Sequence, residues 1–281
     1  MIDLRERSIG ELLDAAVTIS VHNAPLLIAL SAVWIVPDFF VSFLRESAST
    51  VALPRRDPGY DFAQSALYLV VLVAGAVSQI ATAVAVYDLV RGATPRLAAA
   101  LATGVRTILP AIGVYLRYSL AFILFGGISV ASIGGIGTHN PGYVVLGIVG
   151  VAAMVVPYAL TDLATNLGVI HRGLVARNPE FRNFAGGIAA FSTEGRNVLA
   201  AITSLGLQWT GFLAVRLLAR ILPMPPIAST ALEHCVEIVA SVVVSTFLTL
   251  FYLDLRMRVT GSDLARAAET LMGEATAPAL D

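Results

Sequence analysis

Residues 64–87 read QSALYLVVLVAGAVSQIATAVAVY, a run without one charged side chain, and Asp88-Leu89 follows at once. A bilayer core takes about 20 mostly apolar residues to cross as a helix. This run meets that length, and five others resemble it: 25–44, 109–134, 143–163, 198–222 and 231–251. In lipid each backbone polar group needs an internal partner, so every run is expected to be a helix. Composition agrees. Of 281 residues, 57% are apolar and 13% charged, about half the usual charged share, with a mean hydropathy of +0.81. A chain so poor in charge cannot coat a globule with water-compatible surface. That excludes a typical soluble enzyme, a disordered regulator and a nucleic-acid binder with a basic face. The expected fold class is all-α: a polytopic membrane protein with six transmembrane helices.

Arginine sets the expected threading. The 18 basic residues are all arginine, which fits GC-rich bacterial coding, and net charge is −1. With the N-terminus inside, the inner segments hold Arg5, Arg7, Arg91, Arg96, Arg106, Arg172, Arg177, Arg182, Arg196, Arg256, Arg258 and Arg266. The outer loops hold Arg45, Arg55 and Arg56 only, all in the first. This positive-inside bias puts both termini in the cytoplasm of a bacterial cell, with the spans in its inner membrane.

A repeat organises the chain. Each even-numbered span ends on tyrosine followed shortly by Asp-Leu: Tyr87-Asp88-Leu89, Tyr158 with Asp162-Leu163, and Tyr252 with Asp254-Leu255. A helix start follows each, at Thr94 before Pro95, Asn178 before Pro179, and Ser262 before Asp263. Ser8 and Glu11 form a capping-box pattern at the front. Helical spacing puts Ile9, Leu12, Leu13, Ala16 and Val17 on one face, as it does Leu97, Leu101, Val105 and Ile108. Phe181, Phe184, Ile188 and Phe191 form a third such face, and Leu264, Ala268 and Leu271 a fourth. The expectation is one membrane domain over 1–261, with repeats at 8–90, 94–165 and 178–257. Amphipathic helices would lie on its cytoplasmic side, and 262–281 would form a last helix and tail.

The opening Ser8-Ile9-Gly10-Glu11-Leu12-Leu13-Asp14 resembles one end of a bacterial multi-pass family. The closing Tyr252-Leu253-Asp254-Leu255-Arg256-Met257-Arg258, with Gly261 and Asp263, resembles the other. That family is named for the membrane domain attached to some glycerophosphoryl diester phosphodiesterases. Its members often carry an acidic residue before the closing glycine, where this chain has Thr260. The resemblance implies an architecture and not a reaction, since that membrane domain has no well-defined activity of its own.

Hydrolysis of a phosphodiester needs a metal held by carboxylates, with acid and base groups beside it. His22, His139, His171 and His234 are scattered, and no H-E-x-x-H, G-x-S-x-G or phosphate-loop motif occurs. No catalytic residue, cofactor or metal is therefore expected. The run Glu233-His234-Cys235-Val236-Glu237 has metal-site residue types. On a helix, however, Glu233 and Glu237 share a face while His234 points about 100° away. Two glutamates paired with arginines is the expected reading.

Intramembrane charges mark function by default. Short loops make the spans antiparallel hairpins, in which residues equidistant from the loop lie at equal depth. By that rule Arg117 faces Asp162, Arg216 faces Glu237 and Arg220 faces Glu233, as structural ion pairs. Asp38, after Pro37, has no mirror partner and is the candidate functional charge. The expected function is a non-enzymatic scaffold, accessory subunit or membrane-organising component, with lipids, other membrane proteins or a second copy as partners. The alternative is a small-solute or ion transporter or channel, and a lipid-related enzyme comes third. A large water-filled cavity reaching Arg117–Asp162 or Asp38 would favour transport, and a solid bundle with an exposed apolar groove a partner or lipid role. Reporter fusions near Gly92, Ala176 and Ser262 should read as cytoplasmic, and fusions near Arg55, His139 and Pro225 as external. An externally labelled tag at Ala176 would overturn the threading.

Overall fold

The computed structural model describes residues 7–50, 58–136, 141–183, 195–222 and 225–275. Among them the regular elements are helices: α1 (Ile9–His22), α2 (Ala24–Thr50), α3 (Pro58–Val90), α4 (Leu97–Arg106), α5 (Ile108–Ile136), α6 (Pro141–Arg177), α7 (Gly195–Ile221) and α8 (Pro226–Ala275). A single 3-10 turn spans Pro179–Asn183. Five helices are long and apolar enough to cross a membrane, and α4 with α5, bent by 57°, passes the same test as a pair, giving six if that pair is one span. The protein is an all-α polytopic membrane protein.

Local chemistry explains the helix boundaries. Ser8 Oγ accepts from the Glu11 N–H at 3.2 Å, and the Glu11 carboxylate accepts from the Ser8 N–H at 2.8 Å, a closed capping box. Gly92 at φ 74 ends α3, in the left-handed region that glycine enters without steric cost. Asn178 Oδ1 accepts from the Glu180 N–H at 3.0 Å and starts the 3-10 turn. Two joints share one construction: Asn23 between α1 and α2, and Thr107 between α4 and α5. The Asn23 Nδ2 donates to the Ile19 carbonyl at 3.0 Å, and the Thr107 hydroxyl to the Thr103 carbonyl at 2.7 Å. Each binds the carbonyl four residues back, next to the break.

Three expectations change. Thr94 is not a cap: Arg96 occupies the N-cap of α4, without a side-chain hydrogen bond. Ser262 starts no helix, because α8 runs through Gly261 and Ser262 to Ala275. The amphipathic faces also dock differently. α1 buries Ile9, Leu12 and Ala16 inside the bundle. α4 buries its small residues, Ala100 and Gly104, and leaves Leu97 and Val105 exposed. A short helix gains more by close approach to a neighbour than by turning its bulkier face inward. Phe181 is fully buried, whereas Phe184, Ile188 and Phe191 lie outside the described residues. The side chains of Leu264, Ala268 and Leu271 lie outside them as well.

The packing centre is α3, α6 and α8. The hairpins α2–α3, α5–α6 and α7–α8 pack around it, and α1 crosses α8. Ile80, Leu163, Leu167, Ile170, Phe247 and Phe251 fill the half nearer α1. Glycines permit the closest crossings. A Cβ on Gly104 would sit 2.6 Å from the Val77 carbonyl oxygen, and one on Gly173 would sit 2.5 Å from Ile80 Cγ2.

The α1 end is closed by a charge cluster. Asp254 is 2% exposed, and its Oδ2 accepts from Arg196 at 2.6 Å and from Arg258 at 2.9 Å. Both arginines also donate to the Arg7 carbonyl, at 2.9 and 3.4 Å. Beside it Phe181 packs between Tyr87 and Tyr252, with ring centroids at 5.3 and 6.2 Å, and the Arg256 guanidinium lies 3.8 Å over its ring. The Arg7 carbonyl, one residue ahead of Ser8, thus joins the start of the described chain to Arg258 near its end. Asp14 is exposed, Gly10 has open surroundings, and the side chains at Gly261 and Asp263 lie outside the described residues.

Two stability predictions follow from this packing. Gly104→Ala should cost ~1–3 kcal/mol, because the carbonyl it meets is backbone and cannot swing away. Gly113→Ala, with nothing within 4 Å, should be neutral. Thermal denaturation in detergent distinguishes the two. Asp254→Ala strands two partly buried guanidinium groups and should cost about 3–5 kcal/mol, far more than an exposed pair is worth. An unchanged melting temperature for Asp254→Ala would remove the cluster from any structural role.

Candidate functional site

A cavity of about 270 Å³ lies on the bundle axis, well above the ~10–15 Å³ that one water needs. Every spanning helix contributes to its wall: α2 through Trp34, α3 through Ser78 and Gln79, α5 through Tyr115, α6 through Asn166, α7 through Gln208, and α8 through Glu237, Ser241 and Ser245. Val244 and Leu248 supply apolar wall.

Hydrogen bonds tie the polar wall across helices. The Tyr115 hydroxyl donates to Gln79 Oε1 at 3.4 Å, and Gln79 Nε2 donates to Asn166 Oδ1 at 2.6 Å. Asn166 Nδ2 in turn donates to the Asp162 carbonyl at 2.9 Å. On the opposite wall Trp34 Nε1 donates to Ser241 Oγ at 3.4 Å, and Ser78 Oγ donates to the Leu30 carbonyl at 2.8 Å. Behind the wall the Asp162 carboxylate lies against the side chains of Asn166 and Gln208, and its Oδ2 is buried without a hydrogen-bond partner.

Arg117 does not pair with Asp162; the mirror rule placed them at equal depth and gave no account of direction. Tyr115 lines the cavity, and a residue two positions on is rotated by about 200°. Arg117 accordingly faces outward, exposed, with its guanidinium 5.9 Å from the Tyr118 ring centroid. The side chains of Arg216 and Arg220 lie outside the described residues, and with them the ladder expected to Glu237 and Glu233.

Glu237 instead meets Asp38. At the end of the cavity away from α1, ligand-type atoms of Asp38, His234 and Glu237 all lie within 4.8 Å of one another. His234 Nε2 is 3.3 Å from Asp38 Oδ2, an approach that falls short of hydrogen-bond geometry. Phe39 packs edge-on against the imidazole at 5.4 Å. Sequence reasoning singled out Asp38 and the Glu233–Glu237 run separately, but the α2–α8 pairing that joins them is not a hairpin. One signal was present: Trp34 and Asp38 are one helical turn apart, as are Glu237 and Ser241. A single antiparallel register therefore serves both contacts.

Chemically, the arrangement offers a polar chamber at the depth of the hydrocarbon, with one carboxylate in its wall, a second behind it and an acidic pair with imidazole at one mouth. Comparison with family models, with curated proteins and with solved structures finds no match.

Proposed function

We propose that this protein is a transporter or channel for a small polar solute or ion, working from the inner membrane of a bacterial cell with both termini in the cytoplasm. The observation that carries this reading is the polar cavity on the axis, walled by all six spanning helices. Uncompensated polar groups are costly in hydrocarbon, so an inert bundle gains by filling such a space with apolar side chains. Amides, hydroxyls and a carboxylate suit a solute or ion that exchanges its hydration shell for protein groups. Arginine placement gives the orientation: the α1 end, rich in arginine, faces the cytoplasm.

A scaffold or membrane-shaping role would need apolar helix faces offered to the lipid of one leaflet. α1 instead turns Ile9, Leu12 and Ala16 into the bundle, which removes much of that surface. A lipid-related enzyme draws no support from the cavity wall, in which no nucleophile with an adjacent base is found among the described residues.

Cysteine accessibility tests the reading. In a Cys235→Ser background, Ser245→Cys should react with a small polar thiosulfonate, because the reagent needs a water-ionised thiolate. Val239→Cys, 60% exposed on the outside of α8, should stay inert in the bilayer. Reconstituted vesicles shrunk by urea, glycerol or monovalent salts should reswell faster with the protein than without it. Gln79→Leu should abolish the difference for the solute that permeates. If Ser245→Cys is no more reactive than Val239→Cys, and no solute speeds reswelling, the cavity is dry and the reading fails.

A further inference from the structure

We infer that Asp38, His234 and Glu237 form a binding site for one divalent first-row transition-metal ion, such as Zn²⁺, at the cavity mouth away from α1. The first support is the orientation of the imidazole. His234 Nδ1 lies 2.8 Å from the Thr230 carbonyl, which can only accept, so Nδ1 carries the proton. In the neutral imidazole the lone pair is then on Nε2. That atom is buried, makes no hydrogen bond and points at the Asp38 carboxylate 3.3 Å away. His234 as a whole is 8% exposed. With the ring neutral, two acceptors face each other there, and a cation between them, a proton or a metal ion, satisfies both. A ring N–H given to a backbone carbonyl is also the usual way a metal-binding histidine is held in its tautomer.

The second support is charge. Asp38 and Glu237 bring two carboxylates to one spot, and among the described residues no arginine pairs with either. At this depth two neighbouring carboxylates beside a single imidazole are costly, and a divalent ion cancels both. The third is the donor set. One imidazole nitrogen and two carboxylate oxygens suit Zn²⁺ and its first-row neighbours better than Ca²⁺ or Mg²⁺, which favour all-oxygen shells. Metal–ligand bonds of ~2.0–2.2 Å put neighbouring ligand atoms about 3.4 Å apart on a tetrahedral ion. Asp38 and His234 already stand at that spacing, 3.3 Å apart, and the three ligand atoms all lie within 4.8 Å of one another. Three protein ligands leave a coordination position open. Glu237 also lines the cavity, so the site adjoins the chamber. Cys235 is exposed one residue along the helix, about 100° away, and is not a ligand.

The test is equilibrium binding to the purified full-length chain in detergent, with any affinity tag removed and the protein stripped by chelator. Because it needs no flux, it stands or falls apart from the transport reading. Calorimetry with Zn²⁺ should find one site per chain. Asp38→Asn and His234→Gln should each weaken it at least tenfold while keeping the wild-type melting temperature, and Glu237→Gln should do likewise. Cys235→Ser and His171→Ala should leave it within about threefold. Co²⁺ should bind with a visible ligand-field band that His234→Gln removes. Should His234→Gln fold poorly, loss of the band in Asp38→Asn serves the same purpose. No saturable Zn²⁺ binding, or equal binding in the His234→Gln and wild-type chains, overturns the site and leaves a plain carboxylate–imidazole contact. Binding of Ca²⁺ or Mg²⁺ as tight as that of Zn²⁺ overturns the transition-metal assignment.

Discussion

Asp254 holds the α1 end of the molecule together. A carboxylate 2% exposed needs its charge answered close by, and Arg196 from α7 and Arg258 from its own helix do so. The same two arginines reach the Arg7 carbonyl just ahead of α1. One buried anion therefore ties three segments, far apart in sequence, to a single geometry. The aromatic stack of Tyr87, Phe181 and Tyr252 sits against it, and His171 Nδ1 lies 2.8 Å from the Tyr252 hydroxyl. That end is crossed by α1 and held by these contacts, although Arg196 Nε is buried there without a hydrogen-bond partner.

Away from that plug the bundle changes character. Packing is tight where glycines allow close approach, of α4 to α3 at Gly104, of α6 to α5 at Gly168 and of α6 to α3 at Gly173. Toward the middle α3, α6 and α8 carry Gln79, Asn166 and Glu237, and the space between them stays open. The acidic mouth shares Glu237 with the chamber, so whatever occupies one bears electrostatically on the other.

Some of the site was legible in the residues. Asp38 stood out because a charge in an apolar run is costly, and the Glu233–Glu237 run stood out by residue type. The pairing rule behind the expected ion pairs used depth alone. It failed for Arg117 because side-chain direction turns by about 100° per residue, so a position at the right depth can face lipid. Tyr115 and Arg117 are neighbours in sequence and opposites in space. The chamber itself left no pattern, since glutamine, asparagine and serine are ordinary in helices and gain meaning only when six of them face one axis.

The amino-acid sequence by itself determined the class, the spans and most of the helix boundaries. These depend on local quantities: transfer of some 20 residues into hydrocarbon, the reciprocal bonds of a capping box, the freedom of glycine at Gly92. Tertiary structure alone decided which helices are neighbours and which faces they share. α2 and α8 lie at opposite ends of the chain, and no loop length or hydrophobic period relates Asp38 to His234. Their meeting depends on how six similar apolar cylinders pack, and in lipid that choice rests on small residues and a few polar contacts. The contacts that build the cavity and the Asp38–His234–Glu237 cluster are the non-local ones, which is why the spans were readable and the cluster was not.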